Sequence, residues 1–83
     1  MKLEIEADAL KALLKMPKTE ANALREKLKT FAADPLTQHS WAKGFGKGVG
    51  RIRHGDWRAI YQINDASVTV LVVKIGNRKE VYK

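Results

Sequence analysis

The sequence predicts an α+β fold in which a helical hairpin packs on one face of a small, mainly antiparallel sheet of three or four strands. Two observations predict this class. Apolar residues recur at helical spacing in the first third of the chain, on both sides of Pro17. The last third holds strand-like runs that are separated by turn dipeptides, which is typical of antiparallel pairing. The 83 residues suffice for one domain, and we expect it to span residues 1–83.

The chain is predicted to begin with a short strand and a first helix. KLEI at 2–5 alternates between polar and apolar residues, as a half-buried strand does. Asp8 is the predicted N-cap of the helix, because its carboxylate can accept a backbone N–H of the first turn. Pro17 ends the helix, since it lacks the N–H that the helical ladder needs. The apolar residues at helical spacing are Leu10, Leu13 and Leu14.

A second helix is predicted between Pro17 and Pro35. Thr19 is its expected N-cap, and Glu20 is favourably placed near the positive end of the helix dipole. Asp34 before Pro35 ends it. Because the connection at Pro17 is short, we expect the two helices to pair as an antiparallel hairpin. The apolar stripe of the second helix consists of Ala21, Leu24, Leu28, Phe31 and Ala32.

Residues 35–50 are predicted to be irregular, since glycine stands at every second position from 44 to 50. The spacing matches neither a dinucleotide-binding fingerprint nor a phosphate-binding P-loop, so an ordinary loop is expected.

The last third is predicted to be a meander of strands. RIRH at 51–54 leads into a tight turn at Gly55-Asp56, and WRAIYQI at 57–63 returns. A second turn follows at 64–65. The apolar, β-branched run 67–75 is predicted to be a central strand that is buried on both faces. Gly76-Asn77 breaks it, and KEVYK at 79–83 is expected to be a short edge strand.

Composition limits the kind of functional site. The chain has no cysteine, and no His/Asp/Glu cluster has metal-ligand spacing, so we expect no cofactor and no metal. The N-terminal segment is too acidic for a signal peptide, and no run reaches the roughly 18 apolar residues of a membrane span. We therefore expect a soluble, cytoplasmic protein without membrane contact.

Positive charge is concentrated in the second part of the chain. Residues 1–34 carry seven Lys/Arg and six Asp/Glu, whereas residues 35–83 carry nine and three, within a net charge of +7. This asymmetry predicts a polyanionic partner, either nucleic acid or an acidic protein.

Several arginines are predicted to share the sheet face that the helices leave open. Arg51 and Arg53 alternate with Ile52, Arg58 follows the turn on the next strand, and Arg78 belongs to a later basic cluster. A guanidinium binds phosphate oxygens in pairs, but its pKa above about 12 makes it a poor base. A solvated basic face without function explains the same pattern and stays an alternative.

Three other side chains carry weaker signals. His54, beside the arginines, can titrate near neutral pH and is a candidate acid or base, although a purely structural turn histidine is the alternative. Trp41 is a candidate for stacking on a nucleobase. Trp57, next to a turn on a strand, is expected to pack in the core.

Two late motifs resemble the RelE branch of the RelE/ParE superfamily, which are toxins of type II toxin–antitoxin pairs. The motifs are GDWR at 55–58 and GNRKEVY at 76–82. The resemblance extends over nearly the whole chain, through ALKALLKMPK at 9–18 and the helix that ends in Asp-Pro. It implies a RelE-like fold and an endoribonuclease that enters the ribosomal A site and cuts mRNA there without metal.

The resemblance also implies site residues and partners. The catalytic set would be Arg51, Arg53, Arg58, Arg78 and Tyr82, with His54 as a possible acid or base. Residues expected to bind RNA are Lys43, Lys47, Lys74, Lys79 and Trp41. The expected partners are mRNA in the ribosomal A site and an acidic antitoxin protein, and the toxin alone is expected to be monomeric.

Two departures from the family pattern bear on activity. The family also has lysine at the first two basic positions, where this chain has Arg51 and Arg53, which leaves the proton acceptor unnamed. Many relatives have histidine where Asn77 stands, so an acid or base role is lost there. Two alternatives follow: a ParE-like toxin that binds DNA gyrase, and an inactive basic module that binds RNA or an antitoxin.

Overall fold

A computed structural model of the chain, which describes residues 1–81, shows five strands and three helices. Two helices pack on one face of a single sheet with strand order β1-β5-β4-β3-β2. β1 runs parallel to β5, and the other pairs are antiparallel. The predicted α+β class is confirmed. The elements are β1 (Lys2–Ile5), α1 (Ala7–Lys15), α2 (Lys18–Ala33), β2 (Ala42–Gly46), β3 (Val49–His54), β4 (Trp57–Asn64), β5 (Thr69–Asn77) and α3 (Arg78–Val81).

The core lies between the sheet and the two long helices. Phe31 of α2 and Tyr61 of β4 meet there, with ring centroids 4.6 Å apart. The predicted stripe of α2 is confirmed, because all five of its apolar residues are buried. The largest fully buried side chains are Leu13, Leu24, Leu28, Ile52, Val70 and Val72.

The helix starts differ from the predicted ones. Glu6 and Pro17 occupy the N-cap positions, and neither helix has a side-chain cap hydrogen bond. Asp8 and Thr19, predicted to be the caps, lie in the first turns instead. At α2 the reason is the fixed geometry of Pro17, whose carbonyl oxygen accepts the N–H of Ala21 at 2.9 Å.

The apolar stripe of α1 is narrower than predicted. Leu13 is fully buried, but Leu10 and Leu14 are exposed. Ala9, four residues before Leu13, supplies the second buried position of this helix. Within residues 1–81, no helix has the length and apolar character needed to cross a membrane.

The prediction that residues 35–50 are irregular is wrong for their second half. β2 forms there and pairs with β3, which adds a strand to the predicted sheet. Lys47 and Gly48, with φ of 56° and 75°, form the two-residue turn that joins the two strands. Positive φ at both positions is typical of a type I′ hairpin, so the Lys-Gly pair is a turn signal inside the glycine run.

The end of the chain also differs from the predicted meander. β5 is an interior strand as predicted, but it is not buried on both faces, because Leu71 and Val73 are half-buried and Lys74 is exposed. It also continues through Asn77 instead of breaking at Gly76-Asn77. α3 then begins where an edge strand was expected. The side-chain oxygen Oδ1 of Asn77 accepts the N–H of Lys79 at 3.2 Å, which stabilises the start of this short helix.

Candidate functional site

The strand register places basic side chains on the sheet face opposite the helices, as predicted. Residues directly opposite each other on antiparallel strands share a face. Lys43, Arg51, Ile60 and Lys74 follow one another across β2, β3, β4 and β5. The buried row Ile52, Ala59 and Ile75 faces the helices from the same strands.

A second cross-strand row lies beside the first and consists of Arg53, Arg58 and Gly76. We call the face formed by both rows the basic face: Lys43, Arg51, Arg53, Arg58 and Lys74. Among residues 1–79, whose side chains the structure describes, the salt bridge found joins Lys29 and Glu26 on α2 and does not involve the basic face.

Arg58 is the most enclosed member of the basic face. Its side chain is 8% exposed, and its Nη1 donates to the carbonyl oxygens of Gly55 at 2.6 Å and Trp57 at 2.9 Å. Its Nε is buried and has no hydrogen-bond partner among the described residues. The guanidinium is therefore held in one orientation by the turn.

The two basic motifs meet at the Gly55-Asp56 turn. The backbone N–H of Arg78 donates to the carbonyl oxygen of Asp56 at 2.6 Å, which fixes the start of α3 against this turn. Arg58 binds the adjacent carbonyl of Gly55. Arg58 and Arg78, 20 positions apart in sequence, are thus attached to neighbouring residues of one turn.

Arg53 lies at the β2 side of the basic face. Its Nη2 donates to the carbonyl oxygen of Ser40 at 3.3 Å, and its backbone N–H donates to that of Trp41 at 2.8 Å. Lys27 of α2 reaches the same place, with Nζ 3.1 Å from the carbonyl oxygen of Arg53. The sequence did not single out Lys27, although it lies three residues after Leu24 and four before Phe31, on the buried side of the helix.

The register does not place His54 with the arginines. It pairs with Trp57, whose Nε1 donates to the Glu20 carboxylate of α2 at 2.8 Å, so both residues lie on the helix side of the sheet. Nδ1 of His54 is buried without a hydrogen-bond partner in the described part of the chain. His54 lies on the helix side because adjacent residues of a strand point to opposite faces, and its neighbour Arg53 points to the open face.

The remaining predicted residues are placed as follows. Trp57 packs against the core as expected. Trp41 also packs against the core. The His39 ring stacks on Trp41, with ring centroids 4.3 Å apart, and so occupies a face on which a nucleobase was expected to stack. Lys47 lies at the β2–β3 turn and Lys79 on α3, both exposed and outside the two cross-strand rows. Tyr82 lies outside the described residues.

A cleft with a volume of about 660 Å³ lies between segment 35–40 and β2. Phe31 and Tyr61 of the core line it, and so does Lys43 of the basic face. None of the arginines lines it. Burial raises the pKa of the Tyr61 hydroxyl.

This shift gives a measurable prediction. In a Tyr82→Phe variant Tyr61 is the sole tyrosine, and its phenolate absorbance should appear at a higher pH in the folded protein than in the denatured chain. Because its pKa is higher in the folded protein, the protonated Tyr61 hydroxyl favours the folded state. This contribution to the free energy of unfolding is fully present below the unfolded pKa of about 10. It is lost as the pH rises through the folded pKa. Equal midpoints in the folded and denatured states would contradict the prediction.

The basic face is chemically suited to bind a phosphate-bearing chain. Its arginines are charged at every physiological pH and offer paired donors to phosphate oxygens. Hydrogen bonds to backbone carbonyls orient Arg53 and Arg58 before any ligand arrives. Oriented positive charge of this kind stabilises negative charge that develops on phosphorus.

Comparisons with known proteins concern the family and the fold of this chain. A profile of the family described as "ParE toxin of type II toxin-antitoxin system, parDE" matches residues 3–82. The isolated Escherichia coli RelE toxin is similar in structure, with a TM-score of 0.78, 29% identity, and coverage of 98% of this chain and 89% of that chain. A search of curated proteins gave no significant match.

Two toxin–antitoxin complexes are similar at lower identity. The RelBE2 complex from Mycobacterium tuberculosis matches with a TM-score of 0.74 and 23% identity, covering 93% of this chain and 96% of that chain. The archaeal RelE–RelB complex from Pyrococcus horikoshii matches with a TM-score of 0.75 and 21% identity, covering 96% and 97%. At these identities the likeness concerns the fold.

Proposed function

Because this chain belongs to the ParE toxin family of type II toxin–antitoxin systems, we propose that it acts as a RelE-like toxin that cuts messenger RNA in the ribosomal A site. The observation that carries the proposal is the basic face, with Arg51, Arg53 and Arg58 on adjacent strands and Arg78 attached to the same turn as Arg58. The structural similarity to the E. coli RelE toxin supports it.

The proposed chemistry is transfer of a phosphoryl group within the RNA strand. The 2′-hydroxyl of one nucleotide loses its proton and attacks the neighbouring phosphorus, and the bond to the 5′-oxygen of the next nucleotide breaks. That oxygen takes up a proton, so the products are a 2′,3′-cyclic phosphate and a 5′-hydroxyl. Negative charge grows on the phosphoryl oxygens, and the arginines of the basic face stabilise it. One well-oriented donor of this kind accelerates a reaction about 10²–10³-fold.

The arginines are poor acceptors for the proton of the attacking hydroxyl, since a guanidinium keeps its own proton. His54, the candidate acid or base from the sequence, lies on the helix side of the sheet, away from the arginines. Tyr82, which the resemblance places in the catalytic set, lies outside the described residues. The side-chain oxygen of Asn77 accepts a hydrogen bond at the start of α3 and stabilises this helix.

The proposed protein partner is an acidic antitoxin. Similar solved structures include toxins bound to their antitoxins. Without a carboxylate partner among the described residues, the basic face attracts an acidic chain as well as RNA. A partly disordered segment that orders on binding fits such a small, positively charged domain.

A second candidate function is inhibition of DNA gyrase, which the resemblance assigns to ParE-like toxins. The observation that favours it is the matched family, whose description names ParE. The arginine set favours RNA cleavage, because gyrase inhibition by binding does not require groups that stabilise a transition state at phosphorus.

Both candidates can be tested on one preparation of the purified chain. In a reconstituted translation system, we expect cleavage of mRNA at codons in the A site, and no cleavage of the same mRNA without ribosomes. Mapping of RNA 5′ ends measures this. Intact mRNA together with loss of gyrase supercoiling activity would replace the proposal with the ParE-like function, and inactivity in both assays would favour a binding module.

A further inference from the structure

Lys27 connects the helical layer to the basic face. It lies on α2 with a half-buried side chain, and its Nζ donates to the carbonyl oxygen of Arg53 at 3.1 Å. The same Nζ lies 5.8 Å from the centroid of the Trp41 ring. The aliphatic part of the side chain thus crosses the edge of the core and brings the ammonium group to the end of β3.

Two cations lie near one another at this point, because Nζ of Lys27 binds the backbone carbonyl of Arg53 and the Arg53 guanidinium binds the carbonyl oxygen of Ser40, next to Trp41. Burial and, to a smaller extent, the charge of Arg53 lower the pKa of Lys27. The described residues provide neither cation with a carboxylate within salt-bridge distance. Such a pair is unfavourable by itself, and an anion between the two groups removes the repulsion.

Unused donors remain on both side chains. A lysine has three N–H bonds, and the contact with Arg53 uses one of them. A guanidinium has five, and the contact with Ser40 uses one. The neighbouring side chains are the stacked rings of His39 and Trp41, which are apolar on their faces.

We propose that Lys27 and Arg53 together bind one phosphate group of a single-stranded RNA, as a binding site that continues the basic face around the β2 side of the sheet. The proposal rests on the proposed function in that RNA is the substrate. RNA is favoured over an acidic protein because Arg53 belongs to both the pair and the basic face, so one phosphate chain can follow both. Since His39 stacks on Trp41, the outer face of the His39 ring is the aromatic surface beside the phosphate for the attached nucleoside.

The test is direct binding of a fluorescently labelled, single-stranded RNA oligonucleotide with 2′-O-methyl groups, which cannot be cleaved by its own hydroxyls. Binding is measured without ribosomes over a series of salt concentrations. We expect Lys27→Gln to weaken binding about tenfold at low salt, as loss of one charged hydrogen bond does. The slope of log K against log salt should become less negative by about 0.7, which corresponds to one phosphate contact.

Two variants serve as matched controls. Lys29→Gln removes the same charge from the same helix at an exposed position that pairs with Glu26, and we expect less than a twofold effect. Lys27→Arg keeps the charge and should keep both affinity and slope. Thermal unfolding of all variants separates loss of the phosphate contact from loss of the bond that joins α2 to β3.

A spectroscopic readout adds to the salt slope. In a Trp57→Phe background Trp41 is the sole tryptophan, so its fluorescence reports on this end of the sheet. RNA should change the Trp41 emission of this protein and should change it much less when Lys27 is also replaced by glutamine.

The inference is overturned if Lys27→Gln and Lys29→Gln bind the oligonucleotide with the same affinity and the same salt slope, or if the parent chain does not bind it. Weakened binding of an acidic antitoxin peptide with unchanged RNA binding would assign the pair to the protein partner instead. The outcome is independent of the cleavage assay: loss of mRNA cleavage refutes the proposed function, whereas equal RNA binding by the two lysine variants refutes this site.

Discussion

Replacement of Arg58 by alanine is expected to reduce ribosome-dependent mRNA cleavage at least a hundredfold. Arg58 is 8% exposed and is oriented by the carbonyl oxygens of Gly55 and Trp57. Loss of one preorganised donor to a phosphoryl transition state costs about 10²–10³ in rate. The cleavage rate in a reconstituted translation system, from mapped mRNA ends, measures the effect.

The same substitution should also lower the free energy of unfolding, by about 1–3 kcal/mol, because the carbonyl oxygens of Gly55 and Trp57 lose a charged donor. Because Arg58 is buried, it supports the fold as well as the proposed reaction. Denaturant unfolding measures the stability change, and cleavage must be assayed under conditions in which the variant is folded.

Two further variants separate charge from geometry. Arg58→Lys keeps the charge but not the planar fork, so it should retain part of the stability and little of the activity. Arg25→Ala removes an arginine from α2, away from the basic face, and should leave cleavage within about twofold of the parent chain. A folded Arg58→Ala variant that cuts mRNA at the parental rate would refute a role for Arg58 in the reaction.

Replacement of Gly50 by alanine should have the largest effect on stability. The ring of Tyr61 lies directly over Gly50, and an added Cβ would lie 2.5 Å from Cζ of Tyr61 and 2.6 Å from the carbonyl oxygen of Lys43. The distance to the hydroxyl oxygen would be shorter still. One of these neighbours is backbone, so the clash cannot be relieved by rotation of a side chain alone.

We expect Gly50→Ala to lower the free energy of unfolding by about 1–3 kcal/mol or more, as overpacking of a core does. For a domain of this size, each kcal/mol lowers the melting temperature by roughly 4–8 °C. Gly44→Ala is the matched control, because Gly44 pairs with Gly50 across the two strands. A Cβ on Gly44 would lie 4.0 Å from the Tyr61 hydroxyl, which is ordinary contact. Equal melting temperatures of the two variants would contradict the prediction.

Local patterns in the sequence predicted the elements with strong periodicity. The stripe from Ala21 to Ala32 predicted α2 and its buried face, and the alternation of Arg51, Ile52 and Arg53 predicted which side of β3 is charged. The Gly55-Asp56 turn was equally clear, since Gly55 has the positive φ that a tight hairpin turn needs. These features are decided by residues within a few positions of one another.

Local patterns did not predict the structure of the glycine-rich segment 42–50. β2 forms because the Lys47-Gly48 turn returns the chain along β3, not because its residues favour a strand. Glycine has low strand propensity, so the segment looks irregular when judged from its own composition. Its pairing and the placement of Gly50 under Tyr61 depend on contacts across strands.

Local sequence patterns thus account for the α+β class, the buried stripe of α2, the charge on one face of β3 and the family motifs. Contacts across the fold place Arg58 and Arg78 at one turn, His54 on the helix side and Lys27 against Arg53. The two groups of features differ in the distance along the chain over which they act. Periodicity and turn chemistry act between near neighbours, whereas these contacts join residues 20 or more positions apart or follow from the register of paired strands.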